Sequence, residues 1–318
     1  MHVMVESKLR QHDASWQKLP LAAWRDTRDT LHLWTQIVGK IRLGLSPTMN
    51  HWWNVPLYVS ARGLTTSAMP CGDRTVEIHF DFLSHELVIE ASDGEQLRIR
   101  LEPRSVKDFY ENVMAALQAM KIDVHIRPIP TEIPNPIPFD RDTVHASYDA
   151  EYAQKFWLTI AAADRALQEF RSGFMGKSSP VHFFWGSFDL VVTRFSGRRA
   201  PPHGEVPNIP LSVVREAYSH EQASVGFWTG GNGYDDAGFF AYAYPEPPGF
   251  ADAPVPSPAF YNKSMGEFVM PYEAVRTSAH PDALVRAFAQ ATYDAAAGLA
   301  HWNRMALERT AATPPLSI

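Results

Sequence analysis

The sequence predicts an α+β fold in which antiparallel meanders carry long packed helices, and three observations support it. Two long segments, 21–44 and 150–174, repeat apolar residues at helical spacing. Residues 75–82 alternate strictly: Val76, Ile78, Phe80 and Phe82 fall on one face, Glu77, His79 and Asp81 on the other. This is the pattern of a half-buried antiparallel strand. The order helix, meander, helix then recurs on either side of a proline-dense stretch, 128–138. The expected organisation is a first half over 1–127, a connector over 128–140 and a second half over 141–318. The two halves are pseudo-repeated and pack as one compact unit.

In the first helix Trp24, Leu31, Trp34, Val38 and Ile41 form the apolar stripe, with Pro20 at its start and Ser46-Pro47 at its end. Extended segments are expected over 55–65, 75–82, 87–90 and 96–101, with Asp93-Gly94 as a hairpin turn and Ser84-His85-Glu86 as another. Ser105 caps a helix whose buried stripe is Val106, Phe109, Val113, Leu117 and Met120, with Asp108 at the capping-box position. A short strand over 123–127 precedes Pro128, Pro130, Pro134, Pro136 and Pro138. Proline fixes φ and removes a donor, so the connector is extended.

In the second half Asp149 caps a helix with Phe156, Ile160, Ala163, Leu167, Phe170 and Phe174 inward, and Gly173 ends it. Strands are expected over 181–195, 213–218, 223–228, 238–244 and 267–275. The prolines of 245–258 mark a surface excursion. Pro281 opens a last helix with Leu284, Phe288, Ala291, Ala295, Leu299 and Trp302 inward, and a frayed tail begins at Thr310.

Composition narrows the function. The chain has 318 residues, 45% of them hydrophobic, enough to bury a large core. A net charge of −6 and the absence of a Lys/Arg stripe argue against nucleic acid as partner. The lone Cys71 excludes an intrachain disulfide and a multi-cysteine metal site. The polar stretch 1–18 lacks the apolar core of a signal peptide, and no apolar run approaches the roughly 20 residues needed to span a bilayer. The expectation is a cytoplasmic protein without a membrane partner.

Most motif readings fail. Gly176-Lys177-Ser178 has Arg171 where a phosphate loop needs glycine. Gly230-Gly231-Asn232-Gly233 lacks a lysine and reads as a flexible turn. His220-Glu221 and His85-Glu86 lack the second histidine of a zinc-protease helix, and Gly186-Ser187 lacks the flanks of a nucleophile elbow.

What remains is a constellation around the second meander. His182, Asp189 and His220 are candidate acid–base groups, since imidazole titrates near neutral pH and a carboxylate inside an apolar run needs a partner. Arg194 and Arg198 suit an anionic group, and Trp185, Tyr218 and Trp228 an aromatic lining. His182, His220 and Glu221 supply two imidazoles and a carboxylate, a set that suits a divalent metal such as iron or zinc. On one continuous strand His182 and Arg194 would lie roughly 40 Å apart on the same face, so a common site requires a bend, cheapest at Gly186. Residues 220 and 221 share an ion only from a turn.

The stretches Leu57-Tyr58-Val59-Ser60-Ala61-Arg62-Gly63-Leu64-Thr65-Thr66, Pro180-Val181-His182-Phe183-Phe184-Trp185-Gly186-Ser187-Phe188-Asp189-Leu190, Thr193-Arg194-Phe195-Ser196-Gly197-Arg198 and Glu216-Ala217-Tyr218-Ser219-His220-Glu221 together resemble a bacterial family classed as a domain of unknown function. The resemblance covers nearly the whole chain. It implies one unit of about this length, often a stand-alone protein, and assigns no role to any residue.

The expected function is therefore a cytoplasmic enzyme acting on a small anionic or aromatic molecule, by acid–base or metal-assisted chemistry. A non-catalytic small-molecule-binding or sensing protein fits the same residues. A protein-interaction module would use Trp52, Trp53 and the segment 245–258.

Overall fold

The computed structural model describes residues 15–231 and 234–309. The expectations for residues 1–14, for the glycine turn at 232–233 and for the tail from Thr310 fall outside them. The described residues form an α+β fold with seven helices and two six-stranded antiparallel sheets, one in each half.

In the first half, α1 (Leu21–Leu45) buries Trp24, Leu31, Trp34, Val38 and Ile41, as its spacing predicts. The first sheet contains β1 (Tyr58–Val59), β2 (Gly63–Thr65), β3 (Met69–Cys71), β4 (Arg74–Asp81), β5 (Glu86–Ala91) and β6 (Gln96–Arg100). Val76, Ile78, Phe80 and Phe82 are all fully buried. Helix α2 (Val106–Ala119) is capped by Ser105, whose hydroxyl accepts from the Asp108 N–H at 3.0 Å. Trp34 of α1 stacks on Phe109 of α2 with centroids 4.4 Å apart. Each such fully buried aromatic contributes about 1.5–3 kcal/mol.

The expected strand over 123–127 does not form. Val124 is buried against Gly44 while its neighbours face water, and the prolines that follow deny that segment a ladder.

In the second half, α3 (Ala150–Ser172) starts at Asp149, whose carboxylate accepts from the N–H groups of Glu151 and Tyr152 at 2.9 and 3.1 Å. The second sheet runs β11-β12-β10-β9-β8-β7. Its strands are β7 (His182–Phe184), β8 (Asp189–Arg199), β9 (His220–Trp228), β10 (Gly238–Tyr244), β11 (Phe260–Asn262) and β12 (Glu267–Pro271). Helix α3 and helix α6 (Pro281–Leu299) pack on its inner face.

Four expectations are corrected here. The run 181–195 is a hairpin broken at residues 185–188, because the chain turns at Gly186 and Phe188 adopts φ 59°. Residues 213–218 belong to a helix, α4 (Leu211–Ala217): Pro210 opens it, and Arg215, Glu216 and Ala217 are good helix formers. The last expected strand stops at Pro271 and continues as α5 (Tyr272–Arg276). The buried stripe of α6 is Val285, Phe288, Ala289, Thr292, Tyr293, Ala296 and Ala297, about one residue out of phase with the expected stripe. Leu299 remains 40% exposed. A short α7 (Arg304–Leu307) follows.

The two halves share one continuous core. Phe156 of α3 packs against Trp24, Phe82, Phe183 and Phe188, drawn from both halves. The sheets also meet edge to edge, where Leu57 and Phe183 exchange backbone hydrogen bonds at 2.9 Å. Individual histidines do not occupy equivalent places in the two halves. His51 sits in a one-turn helix with φ 57°, whereas His182 is in a strand. His85 lies in a turn, whereas His220 opens β9.

Candidate functional site

Register decides which side chains of the second sheet share a face. Asp189 pairs with Phe184 on β7 and Trp228 on β9, Thr193 with Ser224, and Ser224 with Tyr242. These residues, with His182 and Phe240, form the outer face, turned away from α3 and α6. Leu190, Val192, Arg194, Val225 and Phe227 form the inner face.

Two elements from elsewhere in the chain close over the Asp189 end of the outer face. The first is the connector. Gln36 of α1, fully buried, grips Thr131: its amide donates to the Thr131 carbonyl at 2.9 Å and its oxygen accepts from the Thr131 N–H at 2.7 Å. Glu132 follows with φ 65° and lays its carboxyl against Gly186, in the space that a Cβ would fill. His32 of α1 holds the same turn through a 2.9 Å contact between Nε2 and the Gly186 carbonyl oxygen. The second element is α4, which ends at Tyr218. The Tyr218 hydroxyl lies 3.3 Å from that of Tyr242. Glu267 opens β12, beside β10.

The result is a recess lined by Asp189, Glu132, Glu267, Tyr218 and Tyr242, with Trp228 and Phe240 on the same sheet face. All five polar residues are half-buried and keep contact with solvent. Ser187 donates to Asp189 at 2.5 Å. None of the three carboxyls has a cationic partner among the described residues. Burial, with the nearby charges of Glu132 and Glu267, pushes the Asp189 carboxyl up to about 8 against the pull of the Ser187 hydrogen bond. Burial alone pushes Glu132 and Glu267 up to about 7. The Tyr218 and Tyr242 hydroxyls are raised as well, first by burial. Near neutral pH these carboxyls can therefore hold a proton and give it up, as an acid–base catalyst requires.

The expected site residues separate. His182 is buried in a box of Trp53, Tyr58 and Phe184, with ring centroids 5.7, 5.6 and 5.4 Å away. Its Nε2 has no partner among the described residues, and burial lowers the imidazole to about 3, so it stays neutral. His220 opens β9 while Asp189 faces the end of that strand. Eight residues at about 3.3 Å each put them roughly 26 Å apart, too far for one small substrate. His220 instead neighbours His51, 5.5 Å between rings. Arg194 points inward and stacks over Phe170 at 3.5 Å and Tyr293 at 4.4 Å, donating to the Phe170 carbonyl. It is part of the core and does not face the recess. Arg198 pairs with Glu221 at 2.7 Å and donates to the Ala300 carbonyl at 2.6 Å, which caps α6. Trp185 is buried against Gly39 and donates to the Val55 carbonyl at 2.8 Å, joining the two halves. Asp189, Tyr218 and Trp228 are the expected residues that the fold brings to the recess.

The proposed metal set does not converge. His220 and Glu221 are consecutive on a strand and face opposite ways, and Glu221 is engaged by Arg198. Among the described residues no group of three or more His, Cys, Asp or Glu is arranged to hold an ion. These residues do not fit iron or zinc.

Sequence reasoning missed Glu132, Glu267 and Tyr242. Glu267 had a signal: it is the one charge in the run 267–271. Tyr242 alternates with Phe240 and Tyr244. Glu132 had none, because Gln36 and Lys40 of α1 bring it to the hairpin by holding Thr131. A separate cleft of about 380 Å³ lies on the other side, lined by Arg198, Glu221, Tyr244, Pro245, Leu299 and Trp302 among others.

The chain belongs to a family of unknown function (DUF5996), whose model matches residues 16–309. Searches of curated proteins and of solved structures found no match. Among the described residues no helix is long and apolar enough to cross a membrane.

Proposed function

We propose that this protein is a cytoplasmic enzyme that carries out acid–base chemistry on a small polar molecule held in the Asp189 recess. The observation that carries the reading is the set of three half-buried carboxyls, none with a cationic partner among the described residues, in which Asp189 feels the charges of the other two. A fold does not retain such an arrangement for stability: desolvation opposes every ionised carboxyl in it. Asp189 serves as the general acid. Ser187 fixes its Oδ1, leaving Oδ2 to pass a proton to a substrate oxygen or nitrogen. Glu267 or Glu132, once ionised, takes the proton back. Tyr218 and Tyr242 bind substrate polar groups, and Trp228 and Phe240 cover its apolar part.

The arginines first expected to hold an anion are engaged elsewhere, and three carboxyls repel one. The substrate is accordingly neutral or cationic, where the sequence alone pointed to an anionic or aromatic molecule. The half-buried Cys71, without a disulfide, supports the cytoplasm.

A second reading, binding without turnover, needs no proton transfer: Tyr218, Tyr242 and Trp228 would suffice to hold a ligand there. The interaction-module reading loses support because Trp52 and Trp53 are half-buried, Trp53 against His182 and Phe195.

The test is a thermal-shift screen of neutral hydroxylated compounds and amines, followed by turnover assays on the hits. A ligand that stabilises the wild type and loses its effect in Asp189→Asn and Glu267→Gln supports the site. Turnover separates enzyme from binder. Hits indifferent to both substitutions refute the proposal.

A further inference from the structure

We infer that the opposite end of the same sheet face is an oxyanion-binding site, built from Lys177, His220 and Arg199 around His51. It is distinct from the carboxyl recess and does not depend on it.

His51 is the keystone. It is 5% exposed, and both His51 and Trp52 hold left-handed backbone, with φ 57° and 60°. Two consecutive non-glycine residues in that region are costly, and such strain persists where surrounding structure imposes it. Here the imposing contact is the Ala217 carbonyl, which accepts from His51 Nδ1 at 3.1 Å. That bond leaves Nε2 as a bare acceptor, and Lys177 Nζ donates to it at 2.6 Å. The backbone places Lys177 there, because its carbonyl accepts from the Phe195 N–H at 3.0 Å.

Lys177 is exposed and has no carboxylate partner among the described residues. Its ammonium lies over Trp53 at 5.3 Å and Phe195 at 5.1 Å. His220 borders His51 on another side, and its Nδ1 lies 3.0 Å from Ser219 Oγ, which leaves Nε2 for a ligand. Arg199 is the strand partner of His220 across β8 and β9, beyond the bulge at Gly197. It is exposed and also without a carboxylate partner among the described residues.

Four basic side chains thus gather on one corner of a chain whose net charge is −6. Lys177, His51 and His220 are all lowered, first by burial and then, for the two histidines, by neighbouring positive groups. Lys177 and Arg199 both act on His220 with like charge, Glu216 is the acidic group that acts on His51, and an oxyanion relieves the remaining repulsion while accepting from an ammonium, an imidazole N–H and a guanidinium. Those donors suit a phosphate group above all, because guanidinium matches its geometry and the ammonium supplies a point charge.

Inorganic phosphate is the probe. Titrated into the full chain and followed by the His220 and His51 ring signals in NMR, it is expected to give a saturable shift. Sodium chloride at matched ionic strength should not reproduce it. Lys177→Gln and Arg199→Gln, both at exposed positions, should each weaken phosphate binding about tenfold, one lost charge-assisted contact costing about 1.4 kcal/mol. Thermal melting confirms that each variant is folded. A wild-type shift reproduced by chloride overturns the inference, as does undiminished phosphate affinity in both folded variants. The wild-type titration decides alone if either variant fails to fold.

Discussion

Replacing Asp189 by asparagine should stabilise this protein, and should do so most at alkaline pH. The carboxyl titrates near 8 in the folded chain, against about 3.9 in an unfolded one. Because the folded pKa is the higher, the folded state holds a proton that the unfolded state has lost. Stability is therefore full below about pH 3.9 and declines as pH rises toward 8. At pH 7 the gap between pH and the unfolded value is about 3 units, an upper bound of about 4 kcal/mol at 1.36 kcal/mol per unit. Asp189 keeps some accessible surface, and water screens part of this, so about 2 kcal/mol is the expected gain. Asparagine has the same shape and still accepts from Ser187, so no cavity opens. The assay is urea unfolding of wild type and Asp189→Asn at pH 5, 6, 7 and 8. The curves should diverge steadily with pH. Parallel curves, or a variant less stable than wild type at pH 8, would refute the burial argument and with it the recess as an acid–base site.

Three further outcomes follow from the packing. Arg194→Met should change stability by no more than about 1 kcal/mol, because a thioether replaces a buried guanidinium that, among the described residues, has no carboxylate salt bridge and an unsatisfied Nε. Arg194→Ala should cost about 3 kcal/mol through the cavity it leaves. Neither should alter the phosphate response of His220, and a change there would place Arg194 in the anion site after all. Gly226→Ala should cost about 2 kcal/mol or more in denaturant unfolding, since its Cβ would meet the Phe240 ring and the Leu190 carbonyl oxygen. A variant of unchanged stability would show that the outer face yields there. His182→Gln should flatten the loss of stability on acidification. His182 titrates near 3 when folded and near 6.5 when unfolded, so the unfolded chain takes up its proton first and stability falls as pH drops through that window. An acid limb as steep as that of wild type would count against a neutral, enclosed His182.

Much of the architecture was legible because it is written in local periodicity. The 4-3-4-3-4 spacing of Phe156 to Phe174, the alternation of Val76 to Phe82 and the caps at Ser105 and Asp149 all describe contacts within one element or its first turn. Where the reading failed, two local signals competed. The apolar run of 181–195 reads as one strand, and the turn is held from outside it, by Glu132 and His32 against Gly186. Residues 213–218 read as a strand, yet 211–217 form a short helix that docks on the turn at His51. In α6 small alanines on several sides blurred the phase of the stripe, so Leu299 was placed inward when it faces solvent.

The sequence by itself thus determined the fold class, the core face of the first sheet and the suspicion attached to Asp189, because a carboxylate within an apolar run is conspicuous wherever it ends up; the turn at 185–188 put His182 and Arg194 on opposite faces, where one continuous strand would have put them on the same one. The tertiary structure alone decided which groups join it. Glu132 reaches the recess because Gln36 grips its neighbour Thr131, ninety-five residues away, and Glu267 through pairing of β12 with β10. His220 is carried to the far end of the sheet, where His51 and Lys177 arrive from separate segments. Side chains brought together across long loops leave no periodic trace, since the cost of closing a loop depends weakly on its length and not on the spacing of the residues it joins.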